Sequence, residues 1–276
     1  MMRGLYPYRQ DSPGGRRNGS TMAQFMLQCR ISTKDIDEAS GMAASVKNPG
    51  VLWINNDSGD GPFLYAVDAK TGQLRAYLKF AGVEAEDWEA LRLGPDGVFS
   101  VGDIGDNDQE RTNIRLYRAP EPVIPPGGPH RLTARGVQTF PLRYPDGPHN
   151  AEALLLDPKT KAHYIVTKTD SGISQVFALL GLRELKQLGT INAGGKVTDG
   201  AISPDGHEVA ILTYKHLLLW RLPAGKPLIA ALQTRPTVLP VPKELKKAEA
   251  IAYSSNGRML YMTSEGKKPE IYGLNR

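Results

Sequence analysis

Five short phrases place a polar or acidic residue at matching positions: Ser40 in Ala39–Ala43, Glu89 in Trp88–Leu91, Glu152 in Ala151–Leu154, Asp199 in Thr198–Ile202 and Glu249 in Ala248–Ala252. A second group follows or precedes them: Glu38, Asp87, Asn150, then Asn56, Asp57, Asp103, Asp106, Asn107, Lys168, Tyr214 and Glu265. Ionised carboxylates gathered without partners repel one another and are costly to bury. A bound cation relieves that cost. Oxygen donors suit a hard divalent ion, calcium before magnesium or manganese. The candidate ligands are the Asp, Glu and Asn residues of these two groups. His149 and Asp103 are candidate bases or nucleophiles. Lys168 is the candidate catalytic cation and Arg111 a second positive group, suited to developing negative charge or to a phosphate or carboxylate. Asn56, Asp57, Asn107, Arg111 and Tyr214 are the expected substrate contacts. The alternative is structural: short polar side chains often satisfy backbone N–H groups.

These residues need a scaffold that returns each of them to one place. Aligned on Ser40, Glu89, Glu152, Asp199 and Glu249, the spacings are 49, 63, 47 and 50 residues, and the long interval contains a Pro- and Gly-rich insertion, Ala119–His130. A period near 50 is the size of a propeller blade. Each unit reads as four strands. The turns Gly94–Gly97, Ser203–Gly206 and Ser254–Gly257 separate the first strand from the second, and Asp-Gly and Asn-Gly there are hairpin signals. The fifth unit supplies only three strands. Ala23–Ile31 alternates and supplies the fourth, closing the ring and using up an edge strand. The expected fold is therefore a five-bladed β-propeller of four antiparallel strands per blade over residues 23–276. A sixth blade has no sequence to form it, and a two-sheet sandwich does not account for the period. The first strand of each blade lines the channel, so the start of strand one and the end of strand two meet at one mouth. Trp53 and Trp220 read as inter-blade packing, and His163, His207 and His216 as packing or surface residues.

Composition removes several function classes. The 276 residues are 40% hydrophobic and 23% charged, as in a folded globular chain. No apolar run approaches the roughly 18–20 residues that span a bilayer. The lone Cys29 excludes an intramolecular disulfide and a cysteine zinc site. The net charge of +5 is spread over short basic pairs such as Arg16-Arg17 and Lys246-Lys247, which argues against nucleic acid as partner. Residues 1–22 are rich in Gly, Arg and Ser and are expected to form a disordered tail. They lack the apolar core of a secretory signal. A closed propeller hides its edges, so a monomer is expected. Asp57–Gly61 and Gly102–Asp108 look like calcium loops without EF-hand spacing and read as turns. Neither a Gly-x-Ser-x-Gly elbow nor a His-Glu-x-x-His motif is present.

The phrases Ser40–Ala43, Leu52–Gly59, Glu86–Glu89, Gly102–Asn107, Asn150–Leu154, Ser203–Gly206 and Glu249–Tyr253 resemble a family of largely uncharacterised bacterial β-propeller proteins. The resemblance covers nearly the whole chain after the tail. More distantly, the architecture is similar to calcium-dependent propeller hydrolases: phytase-like esterases, the gluconolactonase group and the diisopropylfluorophosphatase group. That resemblance implies a channel calcium that orients and polarises substrate, with Glu89, Asp103, Glu152, Asp199 and Glu249 as the matching places by blade. Those relatives generally have six blades where this chain has five. Export of many members implies a secreted or periplasmic location. The implied activity is hydrolysis of phosphoesters, phosphotriesters included, on a small anionic or ester substrate. A lactonase or carboxylesterase on the same metal, and a non-enzymatic propeller that binds a protein or glycan with its acids structural, are the alternatives.

Overall fold

Short strands punctuated by Asp-Gly and Asn-Gly turns wind into five sheets. The structure, a computed structural model, describes residues 24–181 and 183–276; the disorder expected of residues 1–22 lies outside them. The chain opens with β1 (Phe25–Arg30). Blade 1 is β2 (Ala39–Ala44), β3 (Val51–Asn56), β4 (Phe63–Asp68) and β5 (Leu74–Phe80). Blade 2 starts with β6 (Trp88–Leu93), β7 (Val98–Asp103) and β8 (Ile114–Pro120). The chain then makes β9 (His130–Ala134) before completing blade 2 with β10 (Gln138–Leu142). Blade 3 is β11 (Ala151–Leu156), β12 (His163–Thr167), β13 (Ile173–Leu180) and β14 (Glu184–Asn192). Blade 4 is β15 (Val197–Ile202), β16 (Glu208–Thr213), β17 (His216–Arg221) and β18 (Thr237–Pro240), with the single turn of α1 (Leu228–Leu232) before its last strand. Blade 5 is β19 (Ala248–Tyr253), β20 (Met259–Ser264) and β21 (Glu270–Asn275), completed by β1 in the order β1-β21-β20-β19. The innermost strands β2, β6, β11, β15 and β19 contact one another in sequence and β19 meets β2, so the ring is a closed five-bladed β-propeller.

One blade departs from four strands. In blade 1, β9 adds a fifth strand, parallel to β5 with Ala76 opposite His130 and Phe80 opposite Ala134. The insertion thus leaves blade 2, lays an outer strand on blade 1 and returns. Glu121 anchors its start. This buried carboxylate accepts from Ser45 Oγ, from the Lys47 N–H at 2.9 Å and from Trp53 Nε1 at 2.8 Å, all in blade 1. Buried donors and acceptor satisfy one another there, which is what a buried charge requires.

Apolar faces of adjacent blades supply the core. Trp53, Phe80, Trp88 and Phe99 are fully buried between blades 1 and 2, with Trp53 edge-on to Phe99 at 5.4 Å and Phe80 to Trp88 at 5.4 Å. Trp220 fills the same role between blades 3 and 4. At the centre, Arg92 ties the ring together. Its Nε donates to Leu154 O at 2.7 Å, its Nη1 to Met42 O at 2.8 Å and to Ile251 O at 2.9 Å, and its Nη2 pairs with Asp199. One guanidinium in blade 2 therefore holds blades 1, 3, 4 and 5, and it divides the channel into an acidic mouth and an apolar one. The apolar end is a cavity of about 210 Å³ rimmed by Pro95, Pro158 and Pro204.

Candidate metal centre at the acidic mouth

Every innermost strand carries a bulge at its first turn of pairing. The register of β2 with β3 slips at Ser40, β6 with β7 at Glu89, β11 with β12 at Glu152, β15 with β16 at Thr198 and β19 with β20 at Glu249. A bulge leaves one residue unpaired and re-aims its side chain, commonly beside functional sites. Three glutamates are delivered to the mouth in this way. Ser40 and Thr198 instead link blades, donating to Glu89 O at 2.9 Å and to Ala248 O at 2.8 Å. The equivalent place in blade 4 is thus Thr198, and the sequence alignment on Asp199 is one residue out. That slip corrects the expected ligand: Asp199 is spent on Arg92 and on the N–H groups of Gly200 and Ile251 at 2.7 and 2.8 Å.

The closest group of acids is Asp57, Asp87 and Glu89, one ligand oxygen from each lying within 4.8 Å of the others. Asp57 follows β3 and is fixed by its N–H to Glu38 O at 2.8 Å. Asp87 immediately precedes β6, its N–H held by Asp103 Oδ1 at 3.0 Å. Glu89 is buried and accepts from Ser40 Oγ at 2.7 Å. The loop after β7 closes over them at Gly105, where a Cβ would collide with Asp87 Oδ2 and lie 2.6 Å from Glu89 Oε1. Only a glycine leaves room for these two carboxylates.

Two more buried glutamates continue the cluster. Glu152 accepts from Lys168 Nζ at 2.7 Å and lies close enough to Glu89 for the two charges to repel. Glu249 is 3% exposed, and its Oε2 has no partner among the described residues. Lys168 Nζ lies 5.4 Å over the ring of Tyr214 and feels the charges of both Glu152 and Glu249. Burial raises the carboxyls of Asp87, to about 8, and of Glu249, to about 9, with Asp57 and Glu152 respectively adding repulsion. Glu89 is held well above its ordinary value by burial and then by Glu152, Asp57 and Asp87. Lys168 rises because Glu152 and Glu249 outweigh its burial. The charge arrangement favours uptake of protons or of a cation. The oxygen-only donors, the orphaned Glu249 oxygen and the cradle left by Gly105 fit a hard divalent ion.

Other expected residues find different employment. Asp103 is fully buried and accepts from the N–H groups of Glu86 and Asp87, from Arg111 Nη2 at 2.7 Å and from Tyr117, so it holds the loop that carries Asp87 instead of offering a ligand or a base. Arg111 is spent on Asp103, Glu86 and Gly105 O, and lines a cleft of about 600 Å³ that reaches Asp87. His149 bonds Asp146 Oδ1 at 2.9 Å and packs on Tyr144 and Phe177 at 4.9 and 5.4 Å, and none of these contacts is with the clustered acids. Asn56 reaches Asp35 O at 2.7 Å. Asn107 accepts from Asn150 Nδ2 at 3.1 Å, and Asn150 in turn touches Glu152. Sequence reasoning noted Asp87 at the mouth without making it a ligand, and it missed Arg92 altogether. The signal for Arg92 was a lone arginine between Leu91 and Leu93 on a channel strand. Comparison with known proteins finds no family model that matches this chain and no match among curated proteins.

Proposed function

We propose that the protein is a divalent-cation-dependent hydrolase of phosphoesters, phosphotriesters included, with calcium the preferred ion. The observation that carries the reading is the convergence of Asp57, Asp87 and Glu89 within 4.8 Å beside two further buried glutamates. Asp57, Asp87 and Glu89 would hold the ion, and Glu249 offers an unpartnered oxygen whose charge also acts on Lys168. When bound, such an ion supplies Lewis acidity to a phosphoryl or carbonyl oxygen and lowers the pKa of water. The protein's own part is positioning. Asp103 holds the backbone N–H of Asp87, Gly105 leaves room for the Asp87 and Glu89 carboxylates, and Asp57 joins them from the end of β3. Lys168 has three N–H donors, one of them given to Glu152, and brings the opposing wall a cation for developing negative charge. With Asp57, Asp87 and Glu89 ionised on a divalent ion and Glu152 paired with Lys168, one negative charge remains at the mouth, which favours an uncharged ester over a phosphate dianion. The same observation admits a lactone.

The test is a thermal melt of EDTA-treated full-length protein during calcium titration, repeated on Glu89→Gln and Lys168→Met. A hundredfold excess over Kd stabilises by about 2.7 kcal/mol, a rise of about 5–10 °C at this size. The rise is expected in wild type and Lys168→Met and is lost in Glu89→Gln. Wild type then hydrolyses neutral phosphotriesters or lactones, and Lys168→Met loses turnover. No saturable shift with calcium, magnesium or manganese overturns the metal centre and leaves the acids as structure.

A further inference from the structure

The channel's opposite mouth is built as regularly as the acidic one. Four residues beyond each bulged residue stand Ala44, Leu93, Leu156, Ile202 and Tyr253, and all five line the cavity below Arg92. Two residues further on, Val46, Pro95, Pro158, Pro204 and Ser255 form its rim. One largely apolar ring thus sits on another, in register, with a residue from every blade. Proline fixes its own backbone angle φ, so the rim is stiff before any ligand arrives. The walls offer little to a charged group. No carboxylate lines the cavity among the described residues. Tyr253 turns its hydroxyl onto Glu208 Oε1 at 2.7 Å, which leaves its ring to the wall. Val46 is 42% exposed at the entrance. Exposed apolar concavities mark interaction sites in folded proteins.

The floor is Arg92. Its Nε donates to Leu154 O, its Nη1 to Met42 O and Ile251 O, and its Nη2 to Asp199, so its partners stand in blades 3, 1, 5 and 4. Guanidinium N–H groups lie in the plane of the group. Partners placed around the channel therefore set that plane across it. One face looks toward the acidic mouth and the other toward the apolar cavity, which Arg92 lines. Every nitrogen is engaged, so the floor presents a cationic face with its edges spent on protein acceptors. Such a face attracts the π cloud of an aromatic ring, and more strongly where water is excluded. The volume suits one ring: an apolar cavity of about 150 Å³ takes up benzene, and this one is about 210 Å³.

We propose that the apolar mouth binds a small uncharged aromatic group, one ring seated on the face of the Arg92 guanidinium. The inference goes beyond the reading of the acidic mouth and does not depend on a cation there. The experiment is an NMR titration of EDTA-treated full-length protein, labelled with carbon-13 at its methionine methyls. The probes are phenol and cyclohexanol, which match in size and hydroxyl and differ in the ring. Met42 lines the cavity and is the reporter, its signal assigned by Met42→Leu. Ala44→Leu, at a half-buried wall position, fills the space, and Val46→Trp, on the exposed rim, covers the entrance and leaves the core intact. A saturable shift of the Met42 methyl is expected, with phenol bound about fivefold more tightly than cyclohexanol, as for one cation–π contact. Phenol binding is lost in the variants. No saturable shift, equal affinity for the two probes, or unchanged phenol binding in both variants overturns the site. A Met42 signal that moves with protein concentration alone assigns the mouth to a second copy and also overturns it. The metal-free condition separates its failure from that of the acidic mouth.

Discussion

Replacing Glu249 by Gln should stabilise the ion-free protein at pH 8. The side chain is 3% exposed with one oxygen unpartnered, and burial followed by Glu152 drives its carboxyl up to about 9 from an ordinary 4.5. An unfolded chain ionises this group near the ordinary value. Between the two pKa values unfolding therefore releases a proton, and stability falls as pH rises from about 4.5, levelling off above about 9. At 1.36 kcal/mol per pH unit, the loss at pH 8 has a ceiling of about 5 kcal/mol. Relaxation and water entry reduce this to about 2–4 kcal/mol. The amide of Glu249→Gln has no such proton to lose and keeps the shape that meets Tyr214. The variant should then melt about 5–15 °C above wild type at pH 8, and the two should melt together at pH 4.5. Melts in EDTA from pH 4.5 to 9 measure this directly. Equal melting at pH 8, or a less stable variant there, would mean that Glu249 is ionised and well partnered, and the reasoning fails.

Two further outcomes follow from the hub and the cradle. Arg92→Met strands Asp199 as a buried, unpaired carboxylate and should cost about 3–5 kcal/mol in denaturant unfolding. Arg92→Met with Asp199→Leu should recover part of that loss, and a single-variant cost below about 1 kcal/mol refutes the hub. Gly105→Ala pushes a methyl against Asp87 and Glu89; calcium affinity by calorimetry should fall about 10–100-fold, the range for disturbed support of ligands, while unchanged affinity shows that the loop yields.

The ring was legible because its punctuation is local. Asp-Gly and Asn-Gly turns and the repeated apolar phrases mark strands one and two of a blade, and the three-strand fifth unit demanded β1. The extra strand β9 left no such mark. Its parallel pairing with β5 bridges about fifty residues without a tight turn, and its anchor, Glu121, reads in sequence as an ordinary surface acid. At the site, Glu89, Glu152 and Glu249 were legible by blade position. Asp199 was not, because a bulge shifts side-chain direction by one residue and the sequence does not show which of Thr198 and Asp199 is unpaired. The surroundings of His149 were not legible, because its neighbours Tyr144 and Phe177 come from different loops and strands.

The five aligned bulges make the mouth a word of five letters, Ser40-Glu89-Glu152-Thr198-Glu249. Each letter hangs outside the ladder of hydrogen bonds that builds its blade, so spelling and scaffold are separable. Two letters are hydroxyls that now serve as stitches between blades. Rewriting the glutamates as amides would retune the mouth's charge in single steps and leave those stitches in place. A library confined to the three glutamate codons would sample the mouth's charge more densely than random change over the whole chain.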